Sequence, residues 1–369
     1  MGKTTATDTG GAVTSGLRAL YEELGYARWR VSRFEEYDFY ARNRSFLSGG
    51  GILTFTDTDG RLMALKPDVT LSIVKSAPGG GGLTKVYYNE NVYRAPDPAE
   101  GFREIPQMGL ECIGGLDLCA VCEVVMLAAR SLNVISPDYL LDISHMGLVP
   151  GLLADCGAPE ELRGRLLELA AAKNAHEAAE LCRGAGMAEK DIGTLQALIR
   201  LRAPLAKAPA ALAALGLGPE ASRAAAELRE LAAVLDGCGL ADRIYLDPSI
   251  QCDLHYYNGV VFRGYVGGVP AGVLSGGQYD NLMRRMGRRG GAIGFAVYLD
   301  MLERRDAGGA EGVDTLLLTE DGADALEVLK YVSACTARGE RVRVDREIPE
   351  GLGYRRLVRA GKGGFTGIE

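Results

Sequence analysis

Around residues 85 to 114 the chain reads TKVYYNENVYRAPDPAEGFREIPQMGLECIGG, two β-favouring runs about a loop punctuated by Pro96, Pro98 and Gly101. This predicts two antiparallel strands joined by a long loop. The constraint comes from alternation: Met108, Leu110 and Cys112 share one face of the second strand, and Gln107, Gly109 and Glu111 share the other. The first face belongs against a core. The second sets an amide and a carboxylate roughly 7 Å apart, at about 3.3 Å per residue, across a glycine with no side chain. Such a gap suits a small cationic or hydrogen-bonding guest, although a lone Q-x-G-x-E is more often the wet face of a surface sheet.

A second region, residues 252 to 300, contains HYYNGVVFRGYVGGVPAGVLSGGQYDNL and then GAIGFAVYLDML. β-Branched and aromatic residues around a Gly-Gly-Val-Pro turn predict another hairpin, which runs into a helix. Gly276 and Gly277 at a strand end permit close backbone approach to a ligand, and Tyr257 and Tyr279 supply ring faces with hydroxyl handles. Residues 291–296 open a further buried element in which small residues serve core packing.

Between Pro150 and about Leu240 the composition shifts to Ala, Leu, Glu and Arg with apolar positions at helical spacing, broken at Gly184, Pro204 and Gly216. This predicts a helical insertion, about residues 150–240, within a first domain of residues 1–308. After Gly308, VDTLLLTEDG, a helix from about Ala323 to Thr336 and RVRVDRE predict a β-α-β unit in a small α/β domain of residues 309–369. The pattern of GLGYRRLVRAGKGGFTGIE assigns it no fold.

A chain of 369 residues with 47% hydrophobic content and a net charge of −7 has no broad basic field to attract nucleic acid. Arg284, Arg285, Arg288 and Arg289 read as a solvated helix face or a subunit contact. No apolar stretch approaches the roughly 20 residues needed to span a bilayer. The first fifteen residues lack a signal-peptide core and are expected to fray, and Gly2-Lys3-Thr4-Thr5 lacks the upstream glycine and strand of a phosphate loop. Eight cysteines without an export signal point to reduced thiols in a cytoplasmic protein. Cys119 and Cys122 have no second pair and read as buried helix residues, so no metal is expected. Of the three histidines, His176 reads as exposed and His145 as structural, while His255 lies beside the candidate pocket. No nucleophile and base pair up, and no cofactor motif is present.

NENVYR followed by E-x-x-Q-x-G-x-E, then YYNGVVF, SGGQYDNL and AIGFAVYLDML, in this order, resembles the class II catalytic core of histidyl-tRNA synthetase over most of residues 10 to 304. LYEELGYARWRVSRFEE resembles the first class II motif, and LKPDVTLSIVKSA the family's R-P-E-x-T segment. The resemblance implies an α+β fold: a class II core with an antiparallel sheet flanked by helices, a helical insertion, and a C-terminal α/β domain similar to the start of an anticodon-binding domain, here cut short. It assigns the histidine amino group to Asp68, Thr70 and Gln107, and the imidazole to Glu111, Tyr257 and Tyr279. Asp68 stands where the family has Glu. Arg94, Gly276, Gly277 and His255 are further candidate ligand contacts.

Forming an aminoacyl adenylate needs arginines to clamp phosphates and developing charge. Against the family pattern Arg94 is kept, but Cys252 and Met301 stand at two arginine positions, Gln278 at the arginine of Gly-Gly-Arg-Tyr, His255 at an aspartate and Ser32 at a proline. A histidine pocket without this machinery resembles the regulatory-subunit family of ATP phosphoribosyltransferase. That resemblance implies no catalytic residue of its own, no cofactor, a short-form catalytic subunit as partner, L-histidine as effector, and a homodimer formed through residues 17 to 40 within a hetero-oligomer. The alternatives are a divergent histidyl-tRNA synthetase and a stand-alone histidine- or tRNA-binding protein.

Overall fold

The computed structural model describes residues 9–47, 51–77, 82–94, 101–250, 256–302, 312–349 and 352–368. The chain starts with α1 (Thr9–Glu23), β1 (Ala27–Arg28), β2 (Phe34–Glu36), α2 (Tyr37–Arg42), β3 (Thr54–Thr56), β4 (Leu62–Leu65) and α3 (Thr70–Ser76). The expected hairpin follows as β5 (Thr84–Arg94) and β6 (Arg103–Gly114), then α4 (Leu118–Ile135) and β7 (Tyr139–His145). The Ala- and Leu-rich stretch forms α5 (Leu148–Asp155), α6 (Glu160–Ala171), α7 (Ala175–Gly184), α8 (Glu189–Arg200), β8 (Ala203–Pro204), α9 (Ala208–Ala213) and α10 (Pro219–Gly237). The chain returns through β9 (Ile244–Leu246), β10 (Val260–Val266), β11 (Leu274–Gln278), α11 (Asp280–Arg285) and β12 (Gly291–Tyr298).

These strands build a nine-stranded sheet of order β1-β5-β6-β12-β11-β10-β7-β9-β8, antiparallel at its centre and parallel where β1 meets β5 and β7 meets β9. The compact unit they form spans Gly11–Met301. Helices α1 and α4 cover one face, tied together by the Tyr21 and Ser131 hydroxyls 3.0 Å apart. Asp117 starts α4 by accepting the Ala120 backbone N–H at 2.8 Å. Leu132 of α4 fills the space a side chain at Gly264 of β10 would need. Contrary to the expectation of short, broken apolar runs, Leu118–Ile135 is long and apolar enough to cross a membrane, yet it packs as the core helix beneath this sheet. Cys122 is buried there as expected, whereas Cys119 is exposed.

A smaller sheet, β2-β4-β3, stands beside the first. The Lys66 ammonium, 1% exposed, donates to Glu90 of β5 at 2.6 Å, and Glu90 also accepts the Val31 N–H. This pair fixes the end of β4, and with it the start of α3, against the large sheet. Arg288 donates to the Ala77 carbonyl at 2.9 Å and to the Lys75 carbonyl, so it closes the C-terminal end of α3 rather than lying on a solvated face. His176 is exposed on α7. His145 is structural: its Nδ1 accepts the Gly147 N–H, and its Nε2 lies 3.0 Å from Glu227 of α10.

The remaining described residues form their own unit, with β13 (Gly312–Thr319), α12 (Ala325–Ala337), β14 (Val342–Asp345), β15 (Gly353–Gly361) and β16 (Gly364–Ile368). The β-α-β unit is present as β13, α12 and a parallel β14. The segment without a predicted fold is a hairpin, and the sheet order is β14-β13-β15-β16. The domain boundary placed at residue 308 falls outside the described residues.

Helices α5 and α10 pack closely because Gly151 has no side chain: a Cβ there would lie 2.7 Å from the Ala221 nitrogen. Gly151→Val is expected to lower unfolding free energy by about 2 kcal/mol through overpacking. Gly164, exposed on α6 with open space around it, serves as its counterpart. Gly164→Ala should raise stability by roughly 0.5–1 kcal/mol. Urea midpoints followed by circular dichroism test both.

Candidate functional site

The face of the large sheet opposite α1 and α4 carries a cavity of about 260 Å³. Its floor follows from strand register, with Tyr88, Gly109, Ala296, Ser275, Arg263 and Asp142 successive cross-strand partners in β5, β6, β12, β11, β10 and β7. A parallel row runs Glu111, Gly294, Gly277. Gln107 stands opposite Tyr298 on the other side of the first row. Alternation in β6 thus turns Gln107 and Glu111 into the cavity, as their spacing predicts, and both are buried, 3% and 2% exposed. The space above Gly109 is filled from within: a Cβ there would lie 2.6 Å from the Tyr88 hydroxyl oxygen. The cavity therefore presents a phenol where the sequence alone left a gap.

Glu111 is the centre of the site. Thr70, at the start of α3, donates its hydroxyl to Oε1 at 2.6 Å, and the Tyr279 hydroxyl donates to Oε2. Gly294 makes room, since a Cβ there would sit 1.9 Å from the same Oε2. Burial pushes the Glu111 carboxyl up to about 8, opposed by its two hydroxyl donors and reinforced by the nearby charge of Asp68. Burial likewise holds the phenols of Tyr88, Tyr256 and Tyr279 well above their usual range, so they face the cavity as neutral donors.

Asp68 also lines the cavity, and its Oδ1 accepts the Leu71 N–H at 2.8 Å, capping α3. Burial raises its carboxyl against the pull of Arg94. Arg94 lines the cavity but is already engaged, donating to the Pro67 carbonyl at 2.5 Å and to Asp68 Oδ2 at 3.3 Å. Tyr257 closes the site above Gly277, where a Cβ would approach its ring to 2.8 Å, and packs on Tyr256 with ring centroids 4.6 Å apart.

Of the candidate residues, Asp68, Thr70, Gln107, Glu111, Tyr257, Tyr279, Arg94 and Gly276 line this one cavity. Gly277 does not; its missing side chain accommodates Tyr257 rather than a ligand. His255 and Cys252 lie outside the described residues. Gln278 turns away, its amide donating to Asp280 Oδ2 at 2.9 Å. Residues not anticipated are Tyr88, Tyr256, Arg263, Ser275 and Tyr298, of which Ser275 and Tyr298 join hydroxyls at 2.8 Å. Except for Tyr256, which precedes β10, their signal was cross-strand register, which needs the pairing of β5, β6, β10, β11 and β12 to be known.

A second cavity, about 350 Å³, opens on the same face beside β7, lined by Asp142, Lys173, Arg202, Asp247 and Tyr265, with Arg263 shared between the two. Lys173, with its backbone at φ 55°, reaches Asp247 at 2.6 Å, and Arg202 reaches Asp142 at 3.0 Å while lying over the Tyr245 ring. These contacts lock the helical insertion to β7 and β9.

The main cavity therefore offers two carboxyls, an amide, neutral phenols and flat ring faces, a set that complements an ammonium group joined to a planar ring with N–H donors.

The sequence model of the histidyl-tRNA synthetase family matches residues 8–302. The ATP phosphoribosyltransferase regulatory subunit of Clostridium kluyveri is 30% identical over 293 residues, 77% of this chain and 74% of the relative. Among solved structures, an ATP phosphoribosyltransferase regulatory subunit/histidyl-tRNA synthetase of Bacillus halodurans superposes with a TM-score of 0.73 at 24% identity, over 96% of both chains. A chain of the ATP phosphoribosyl transferase HisG:HisZ complex of Thermotoga maritima does so with a TM-score of 0.63 at 19% identity, over 79% of this chain and 97% of that one. The α+β, class II synthetase-like architecture expected from the sequence is thus the fold of this chain.

Because the Glu111 carboxyl is raised from 4.5 to about 8, folding takes up a proton between those values. Stability should then fall as pH rises through that window, by up to about 1.4 kcal/mol per pH unit where the folded state holds the proton and the unfolded state does not. Urea midpoints at pH 5 and pH 8 should show this loss in the wild-type chain and a flatter profile in Glu111→Gln.

Proposed function

Because the chain belongs to the family of ATP phosphoribosyltransferase regulatory subunits built on the histidyl-tRNA synthetase fold, we propose that it activates a short catalytic chain and confers feedback inhibition by L-histidine. The observation that carries this reading is the convergence of Asp68, Thr70, Gln107, Glu111, Tyr257 and Tyr279 on one cavity. In it Asp68 and Gln107 face the ammonium group, and Glu111 with Tyr279 faces the imidazole, where Glu111 accepts from a ring N–H with a lone pair its two hydroxyl donors leave open. The hydroxyls already on Glu111 hold it in place for that contact.

The chain forms no adenylate in this reading. Arg94 is spent on Asp68 and Pro67, Gln278 is turned to Asp280, and Cys252 and Met301 supply no guanidinium. A neutral amide and a thioether cannot replace arginine at phosphate oxygens. The helical insertion carries few basic residues to meet tRNA and instead contacts a protein partner. The working assembly is a cytoplasmic hetero-oligomer in which residues 17 to 40 form a homodimer contact.

Histidine can shift the catalytic subunit only by its difference in affinity for active and inhibited assemblies, typically about 1–3 kcal/mol of coupling. The deciding assay is phosphoribosyl transfer from phosphoribosyl pyrophosphate to ATP by the host's short catalytic chain, with and without this protein, across a histidine titration. Activity that depends on this chain and falls with histidine is the expected outcome. Indifference to the chain, or histidine-dependent pyrophosphate exchange by the chain alone, would overturn it, the latter in favour of a synthetase. Glu111→Ala is expected to abolish the histidine response while still co-purifying with the catalytic chain; unchanged inhibition would remove the cavity from the mechanism.

A further inference from the structure

An amino-acid effector brings a carboxylate into a cavity already walled by Asp68 and Glu111, and that carboxylate needs a cation. Two arginines line the cavity, and Arg94 is committed to Asp68 and the Pro67 carbonyl. The other is Arg263, which has no ion pair or hydrogen bond through its side chain among the described residues.

Its isolation has a structural cause. In β10 it stands directly opposite Asp142 of β7, the pairing in which opposite charges on a sheet ordinarily meet. Asp142 is instead taken by Arg202 at 3.0 Å, and Asp247 by Lys173 at 2.6 Å, both cations coming from the helical insertion. Arg263 is thus the surplus cation of that cluster. Its stem lies along Gly272, where a Cβ would come within 2.9 Å of its Cγ and Cδ. On its other side is Ser275, whose hydroxyl meets that of Tyr298.

Resting on the reading of the cavity as an amino-acid site, we infer that Arg263 binds the carboxylate of the bound histidine. The ligand lies with its ring at Glu111 and Tyr279, its ammonium at Asp68 and Gln107, and its carboxylate at the β10 and β11 rim beside Ser275. That end of the ligand faces the second cavity, which Arg263 also lines, so occupancy changes the charge balance of the cluster holding the insertion.

The test is calorimetric titration of the full chain with L-histidine and with histamine, which keeps the ring and amine but lacks the carboxylate. Arg263→Ala should weaken histidine at least about tenfold and change histamine by less than about twofold, with Arg263→Lys in between for histidine. Equal losses for both ligands in Arg263→Ala, or histidine affinity kept within about twofold, would overturn the inference while leaving the effector reading intact. If the wild-type chain takes up neither ligand, the effector reading fails and this inference falls with it.

Discussion

One buried carboxylate organises the site. Glu111 lies on the inner strand β6, and its two oxygens are held by Thr70 from α3 and by Tyr279 from the turn between β11 and α11. Elements separated by 41 and 168 residues thus meet on a single side chain. The arrangement requires Gly294 on the adjacent strand, because any side chain there would occupy the place of Oε2. A charge buried this deeply is unfavourable unless paired. The site therefore holds Glu111 protonated, or satisfied by an incoming cationic donor, and the walls around it are set by that requirement.

A second buried pair supports the first from outside. Lys66 and Glu90 fasten the end of β4 to β5, and the next residues of the chain are Pro67, which holds Arg94, and Asp68, which caps α3. Arg288 closes the far end of the same short helix. With seven residues, α3 is below the length at which a helix sustains itself, so its placement comes from these contacts. Thr70 is delivered to Glu111 by that scaffold rather than by helix propensity.

What the sequence made legible was periodic. Alternation in β6 placed Gln107 and Glu111 together, glycine and aromatic spacing marked β10 to β12, and the switch from strand to helical period marked the β-α-β unit. What it hid depends on pairing across long separations. Tyr88 over Gly109, the Arg94 and Asp68 pair, and the competition of Arg202 with Arg263 for Asp142 follow from register and rotamer choice, neither of which leaves a local pattern. The exposed Cys119 failed differently, since a residue one position into an amphipathic helix lies on whichever face the cap sets. The closing hairpin of β15 and β16 escaped because Gly361 to Gly364 form a turn within a run of charges that blurs both strands.

The nine-stranded sheet is bounded by two of its shortest strands, β1 and β8, each two residues long, and β8 ends on Pro204. A two-residue edge presents too few free backbone groups to template another chain, and proline removes one donor outright. Terminal strands this short work against fibril-like growth by strand addition at the margins of this sheet. Contacts made by this sheet's unit are thereby weighted toward side chains, whose chemistry selects a partner, over a backbone that any chain can pair with.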